Sequence, residues 1–263
     1  MKNHFILFAF SIGLLPSSIF GQNLPSIQLD RPDQTECPFI TPNKYIQIEN
    51  GLTIENFENN QKAFNYPSTL WKYGVNEKFE LRLITELVSM KSMSSTISGL
   101  LPITLGFKTS LFEEKGLIPK TSFIGHITTS RIGSKELQST LIAPAFRFTM
   151  QHTLSDKIML AYNLGAEWNG ENEQYNYIYT LTTGFSLTDK IGCYTELYGF
   201  LSNQNVADHR FDGGFTYLIN DDVIVDLSGG FGLTEGVHKN YISLGFSFRF
   251  NTVCDHVDIE KVR

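Results

Sequence analysis

Apolar and polar residues alternate with a period of two along most of this chain. In KFELRLITEL, Phe79, Leu81, Leu83 and Leu87 share one face while Lys78, Glu80, Arg82 and Glu86 share the other, the pattern of a strand with a single apolar side. YIQIENGLTIE repeats it, with Ile46, Ile48, Leu52 and Ile54 against Gln47, Glu49, Thr53 and Glu55. So do IMLAYNLGAEW (Ile158, Leu160, Tyr162, Leu164 and Trp168 against Asn163 and Glu167), YNYIYTLTTGFSL and YISLGFSFRF. The spacing predicts about twelve strands of roughly ten residues, the length that crosses a bilayer when tilted. Strands of soluble domains are nearer five or six.

The connections fall into two kinds. YGVNEK, LSDK, LTDK and INDD are tight polar turns, and they alternate with the longer stretches NFENNQKA, NGENEQ, SNQNVADH and LTEGVHKN. Outer-membrane barrels show this asymmetry, with brief turns towards the periplasm and longer loops outside. LFEEKGLIPK is long for a short-side turn, and TSFIGHITTS alternates poorly but is assigned a strand. Lipid offers the backbone no hydrogen bonds, so a spanning sheet has to close on itself. The expected fold is therefore all-β, a closed antiparallel transmembrane β-barrel of about twelve strands over residues 44–250, closed by YIQIENGL against YISLGFSFRF. Tyr45, Tyr73 and Trp168 fit interfacial aromatic girdles.

Composition sharpens this picture. The chain has 263 residues, 21 Phe and 11 Tyr, and aromatic residues sit well on pleated surfaces. A net charge of −6, with no cluster of Lys and Arg, argues against nucleic acid as a partner. The start, MKNHFILFAFSIGLLPSSIFGQ, has a Lys, an apolar run and small residues after Pro16, the layout of a cleavable export signal over residues 1–21. Residues 22–43 then form a Pro-rich periplasmic segment and residues 251–263 a tail. The expected location is the bacterial outer membrane, with its lipid as a partner.

The search for reactive chemistry returns little. GGFGLTEG resembles a phosphate-cradling loop only superficially, since such a loop has to follow a buried strand and open a helix. The six histidines include no ligand-spaced pair, so no metal or other cofactor is implied. His126 beside hydroxyls in GHITTS reads as a plain lumen-facing or interface residue, and no G-x-S-x-G elbow occurs. The expectation is a protein that is not an enzyme.

The polar face carries the candidate functional residues. Glu49, Glu55, Glu80, Glu86, Glu167, Glu196 and Asp226 point inward with Arg82, Arg147 and Arg249, giving a lumen of both signs with an acidic excess. Two readings stay open: a pore lining whose opposed charges select small polar or charged solutes, and ion-paired ladders that fill the bore. Of the three cysteines, Cys37 and Cys254 share the oxidising periplasmic side if both termini lie there; a disulfide between them stands against two unpaired thiols. Cys193, near Ile191 and Leu197, reads as a small lipid-facing residue.

LDRPDQTECPFITPNKYIQIENGLTIE, followed by LWKYGVNEKFELRL and LGFKTSL, resembles the outer-membrane transporters of the phenol-degradation MetA-pathway type. The matching positions are Arg31, Pro32, Asp33, Thr35, Pro38, Gln47, Glu49, Tyr73, Gly74 and Glu80. The sequence departs from that pattern at Cys37, at Asn43-Lys44, where a glycine is usual, and after Phe250. The resemblance implies a transporter for diffusion of small solutes, small aromatic or hydrophobic compounds among them. A non-conducting structural or surface-interaction barrel is the alternative, and an exported soluble β-sandwich a third reading. The nonamer DRPDQTECP, held extended by prolines 32, 38 and 42, reads either as a rim clasp or partial plug using Arg31 and Asp33, or as a solvated linker.

Overall fold

The computed structural model describes residues 24–57, 61–202, 206–235 and 238–253. Among the described residues thirteen strands follow in order: β1 (Tyr45–Phe57), β2 (Lys62–Asn76), β3 (Phe79–Lys91), β4 (Thr96–Leu100), β5 (Thr104–Phe112), β6 (Lys120–Thr128), β7 (Ala143–Ser155), β8 (Ile158–Trp168), β9 (Tyr175–Ser186), β10 (Ile191–Ser202), β11 (Asp208–Asn220), β12 (Val223–Gly232) and β13 (His238–Asn251). Each pairs antiparallel with its neighbours, and β1 closes the ring on β13 from Tyr45 opposite Asn251. β4 and β5 lie end to end against β3, so the barrel has twelve strand positions.

The break between β4 and β5 falls at Leu101-Pro102-Ile103. Proline has no N–H for a ladder; Leu101 N still donates to Glu86 O, while Ile103 N turns to Ile132 O in the β6–β7 connection. That connection, residues 129–142, holds a short 3-10 turn at Lys135–Leu137. Neither the break nor this long loop is among the sequence expectations. TSFIGHITTS does supply a strand, β6, whose His126 faces inward opposite Gly106.

Burial is inverted relative to a soluble protein. Glu80 is fully buried while its neighbour Leu81 is 49% exposed, and Ser243 is 4% exposed beside Leu244 at 54%. Leu52, Leu105, Leu164, Phe215, Leu227 and Phe246 are likewise exposed, whereas Gln47, Lys72, Lys108, Asn163 and Thr182 are buried. An apolar exterior of this extent has no aqueous rationale, and it matches the lipid-facing band of a membrane barrel. Trp168 and Tyr175, at the end of the β8–β9 ribbon, pack with centroids 5.6 Å apart and planes tilted by 44°, the position of an interfacial girdle.

The segment before β1 meets the short-turn rim at both ends and lies in the bore between them. It enters the bore at the short-turn end, where Ile27 N donates to Asp221 O of the β11–β12 turn. It reaches Asp226 and Ser243 at mid-wall through Arg31, then returns to the same end. There Lys44 N donates to Gly74 O, and Gly74 has no Cβ because one would lie 2.0 Å from Pro42 O. Lys44 closes this return with φ of 63°, the left-handed region that favours glycine, which explains why a glycine is usual around this position.

Candidate functional site

The site is the lumen wall together with the segment it encloses. Asp30 sits at its centre. Its carboxylate accepts from Lys108 Nζ at 2.8 and 2.9 Å, from Lys72 Nζ at 3.0 Å and from Cys37 N at 2.9 Å, with Arg82 Nη2 at 3.3 Å. Its N–H donates to Glu49 at 3.0 Å. Burial by itself raises the Asp30 pKa, but Lys108, Lys72 and Arg82 overcome this and hold the carboxyl well below the usual range. Lys72 also meets Glu49 at 2.5 Å, and Glu80 lies 3.8 Å from Arg82 and 3.9 Å from Lys108. Glu80 accepts in turn from Thr41 N at 2.6 Å.

The tip of the segment crosses to the far wall. Arg31 bonds Asp226 at 3.3 Å and Ser243 at 2.9 Å, and its guanidinium fills the space over Gly51, where a Cβ would lie 2.1 Å from Nη1. Gln34 N donates to Glu196 at 2.7 Å, and the Thr35 hydroxyl lies between Thr180, Thr182 and Glu196. Glu36 bonds Arg82 at 2.6 Å, approaches Arg147 at 3.7 Å and exchanges backbone hydrogen bonds with the Asn163 side chain. Asp33 faces Glu196 and Asp212, which are direct cross-strand partners. Burial and then those two carboxyls push the Asp33 carboxyl well above its usual range.

Of the residues singled out from sequence, Glu49, Glu80 and Arg82 gather around Asp30, while Arg147, Glu196 and Asp226 touch the tip. Arg249 clasps the short-turn rim, bonding Asp222 at 2.7 Å and Pro25 O at 2.7 Å. Glu86 accepts from Ser68 at 2.9 Å and Glu167 lies 3.9 Å from Arg147, both towards the long-loop end. Lys72, Lys108, Asp30, Glu36 and Asp212 are the residues that sequence reasoning missed. Lys72 and Lys108 alter the expected acidic excess into a basic wall on β2, β3 and β5 facing an acidic one on β10 to β12.

Cys37 is a free thiol. It sits 4.0 Å from Lys108 Nζ, and burial with the nearby Asp30 pushes its pKa up to about 12. Cys254, its partner in one of the two readings above, lies outside the described residues, as do the signal and most of the tail. Cys193 is half-buried on the outward face of β10. Among the described residues no group of three or more His, Cys, Asp or Glu side chains is placed to hold a metal ion.

Two cavities flank the segment. One, of about 460 Å³, opens among the short turns and is lined by Leu29, Met159 and Ile224 together with polar residues. The other, of about 400 Å³, lies towards the long loops, lined by Glu55, Glu86, Arg147, Arg210 and Tyr241. Arg31, Pro32 and Asp33 line both, so the tip of the segment stands between them.

The fold resembles solved outer-membrane proteins at low sequence identity. An outer membrane channel from Pseudomonas putida F1 superposes with a TM-score of 0.63 at 12% identity, covering 85% of this chain and 100% of the other. The KdgM porin gives 0.50 at 10%, covering 77% and 99%, and the NanC porin 0.50 at 8%, covering 77% and 98%. A family model described as "Putative MetA-pathway of phenol degradation" matches residues 29–250. No curated protein matches by sequence.

Proposed function

The chain belongs to this MetA-pathway family, and on that premise we propose that it is an outer-membrane channel for passive diffusion of small solutes, closed in this state by its own N-terminal segment. The observation that carries the reading is the pair of cavities on one axis, separated by a segment that bonds to the wall through charged and hydroxyl side chains. Such contacts exchange with water more readily than a packed apolar core separates. Export through the leader at residues 1–21 and orientation with the short turns in the periplasm belong to the same proposal, which needs no covalent chemistry and no cofactor. A solute entering from the long-loop side meets carboxylates and guanidinium groups first, which favours small polar or charged molecules. The apolar portion of the short-turn cavity, around Leu29, Met159 and Ile224, is the place for a small aromatic ring.

The density of bonds around Asp30 supports a second reading, a barrel that never opens. Planar-bilayer recording separates the two. Full-length protein is expected to show rare openings, and a variant lacking residues 24–42 sustained ohmic current. A deleted barrel that folds and carries no current favours the non-conducting structure.

A further inference from the structure

We propose that Lys72, Arg82 and Lys108 form a binding site for the carboxylate of a small solute, and that Asp30 occupies it as a resident stand-in. The proposal rests on the channel reading and deepens it. Strand pairing sets Lys72 directly opposite Arg82, and Lys108 opposite Glu80. Like charges in such positions repel, and all three cations are almost fully buried. The wall itself supplies two nearby carboxylates, Glu49 and Glu80; the segment adds Glu36, which pairs with Arg82, and Asp30, which meets all three cations at once.

The contacts around Asp30 are those of a ligand site. Donors approach both oxygens from different elements: Lys108 from β5 and Cys37 N on one, Lys108 again with Lys72 from β2 on the other. A planar two-oxygen anion fits this arrangement better than a spherical one. Arg82 Nε and Nη1 are buried without a hydrogen-bond acceptor, so the cradle holds donors that its present occupant does not use. Asp30 and Arg82 line the long-loop cavity, which gives an arriving solute a route to them. Six strand positions round the ring, β10 and β11 present Glu196 and Asp212 opposite β3 and β5, so a second carboxylate on the solute would face acids rather than the basic cradle. The favoured ligand class is therefore the small monocarboxylate. A solute carboxylate that takes the place of Asp30 releases the segment, so binding and opening become one event.

Chemical rescue tests the site in the full chain. Asp30→Ala leaves a carboxyl-sized gap; the midpoint temperature of heat-modifiable gel migration is expected to fall, formate to restore it, and formamide, its neutral counterpart, to leave it low. Equal effects of formate and formamide, or none from either, overturn the proposal. Should Asp30→Ala fail to give the folded form, wild-type protein in planar bilayers decides: acetate is expected to raise open probability and acetamide not, with the difference lost in Lys108→Gln. Identical responses to acetate and acetamide overturn the site while leaving the channel standing. Absence of current in every variant, including the deletion, fails the channel reading, and formate rescue then decides the site alone.

Discussion

Asp30→Asn removes one charge and keeps the side-chain shape, which makes it the sharpest perturbation of the segment's seat. At an effective dielectric constant of about 20, a unit charge pair at the 2.8 Å of Lys108 to Asp30 attracts by about 6 kcal/mol. Desolvation of both partners offsets much of that. Removing one member of a buried pair nevertheless costs about 3–5 kcal/mol, because the remaining charge stays buried without compensation. The lower end is appropriate here, since asparagine still accepts hydrogen bonds and Glu49 and Glu80 remain near the cations. The cost falls on the seated state alone, as the cations meet water once the segment leaves. About 3 kcal/mol corresponds to roughly a hundredfold shift towards the open state. Single-channel recording reads this as open probability, with the exposed turn variant Asp156→Asn as control. A folded Asp30→Asn barrel no more open than wild type would refute the electrostatic seating.

Two further outcomes follow from other parts of the molecule. Leu244, exposed at mid-strand in β13 between Leu52 and Leu227, faces acyl chains, so Leu244→Arg is expected to destabilise the barrel by about 2–4 kcal/mol at the bilayer midplane, read by urea titration of folding into vesicles. Asp33 carries a raised pKa in the seated segment, so its proton stabilises seating fully below the ordinary carboxylate range, and that stabilisation is lost as pH rises through the raised value. Open probability is thus expected to climb with pH in wild type and to climb less in Asp33→Asn, where Glu196 and Asp212 still face the segment, measured in symmetric buffers; equal pH profiles would show that Asp33 plays no part.

The barrel was readable in the sequence because period-two alternation encodes directly which face meets lipid. Phe79, Leu81 and Leu83 against Glu80 and Arg82 need no knowledge of partners, and closure of β1 on β13 follows from the need to leave no edge. The interior was less readable. Lys108 in LGFKTSL lies between two outward positions, but its meeting with Asp30, 78 residues away, is a three-dimensional fact that no local pattern carries. DRPDQTECP stood out by composition, yet a stiff charged segment shows the same residues whether it lies in solvent or in a bore. Its partners were visible only as isolated inward charges, and the basic wall was hidden because Lys72 and Lys108 were not placed on the lumen face. Pro102 in LLPITLG was an available sign of the broken strand β4–β5.

The most direct measurement of the central claim locks the segment in place. The hydroxyls of Thr35 and Thr182 lie 2.7 Å apart, so Thr35→Cys with Thr182→Cys, in a background with Cys37, Cys193 and Cys254 replaced by serine, sets a thiol on the tip beside one on the wall. Oxidation is predicted to abolish solute current through the bilayer-reconstituted protein and reductant to restore it. Current that passes unchanged through the cross-linked barrel would contradict the account, because the path of the solute would then not run where the segment sits.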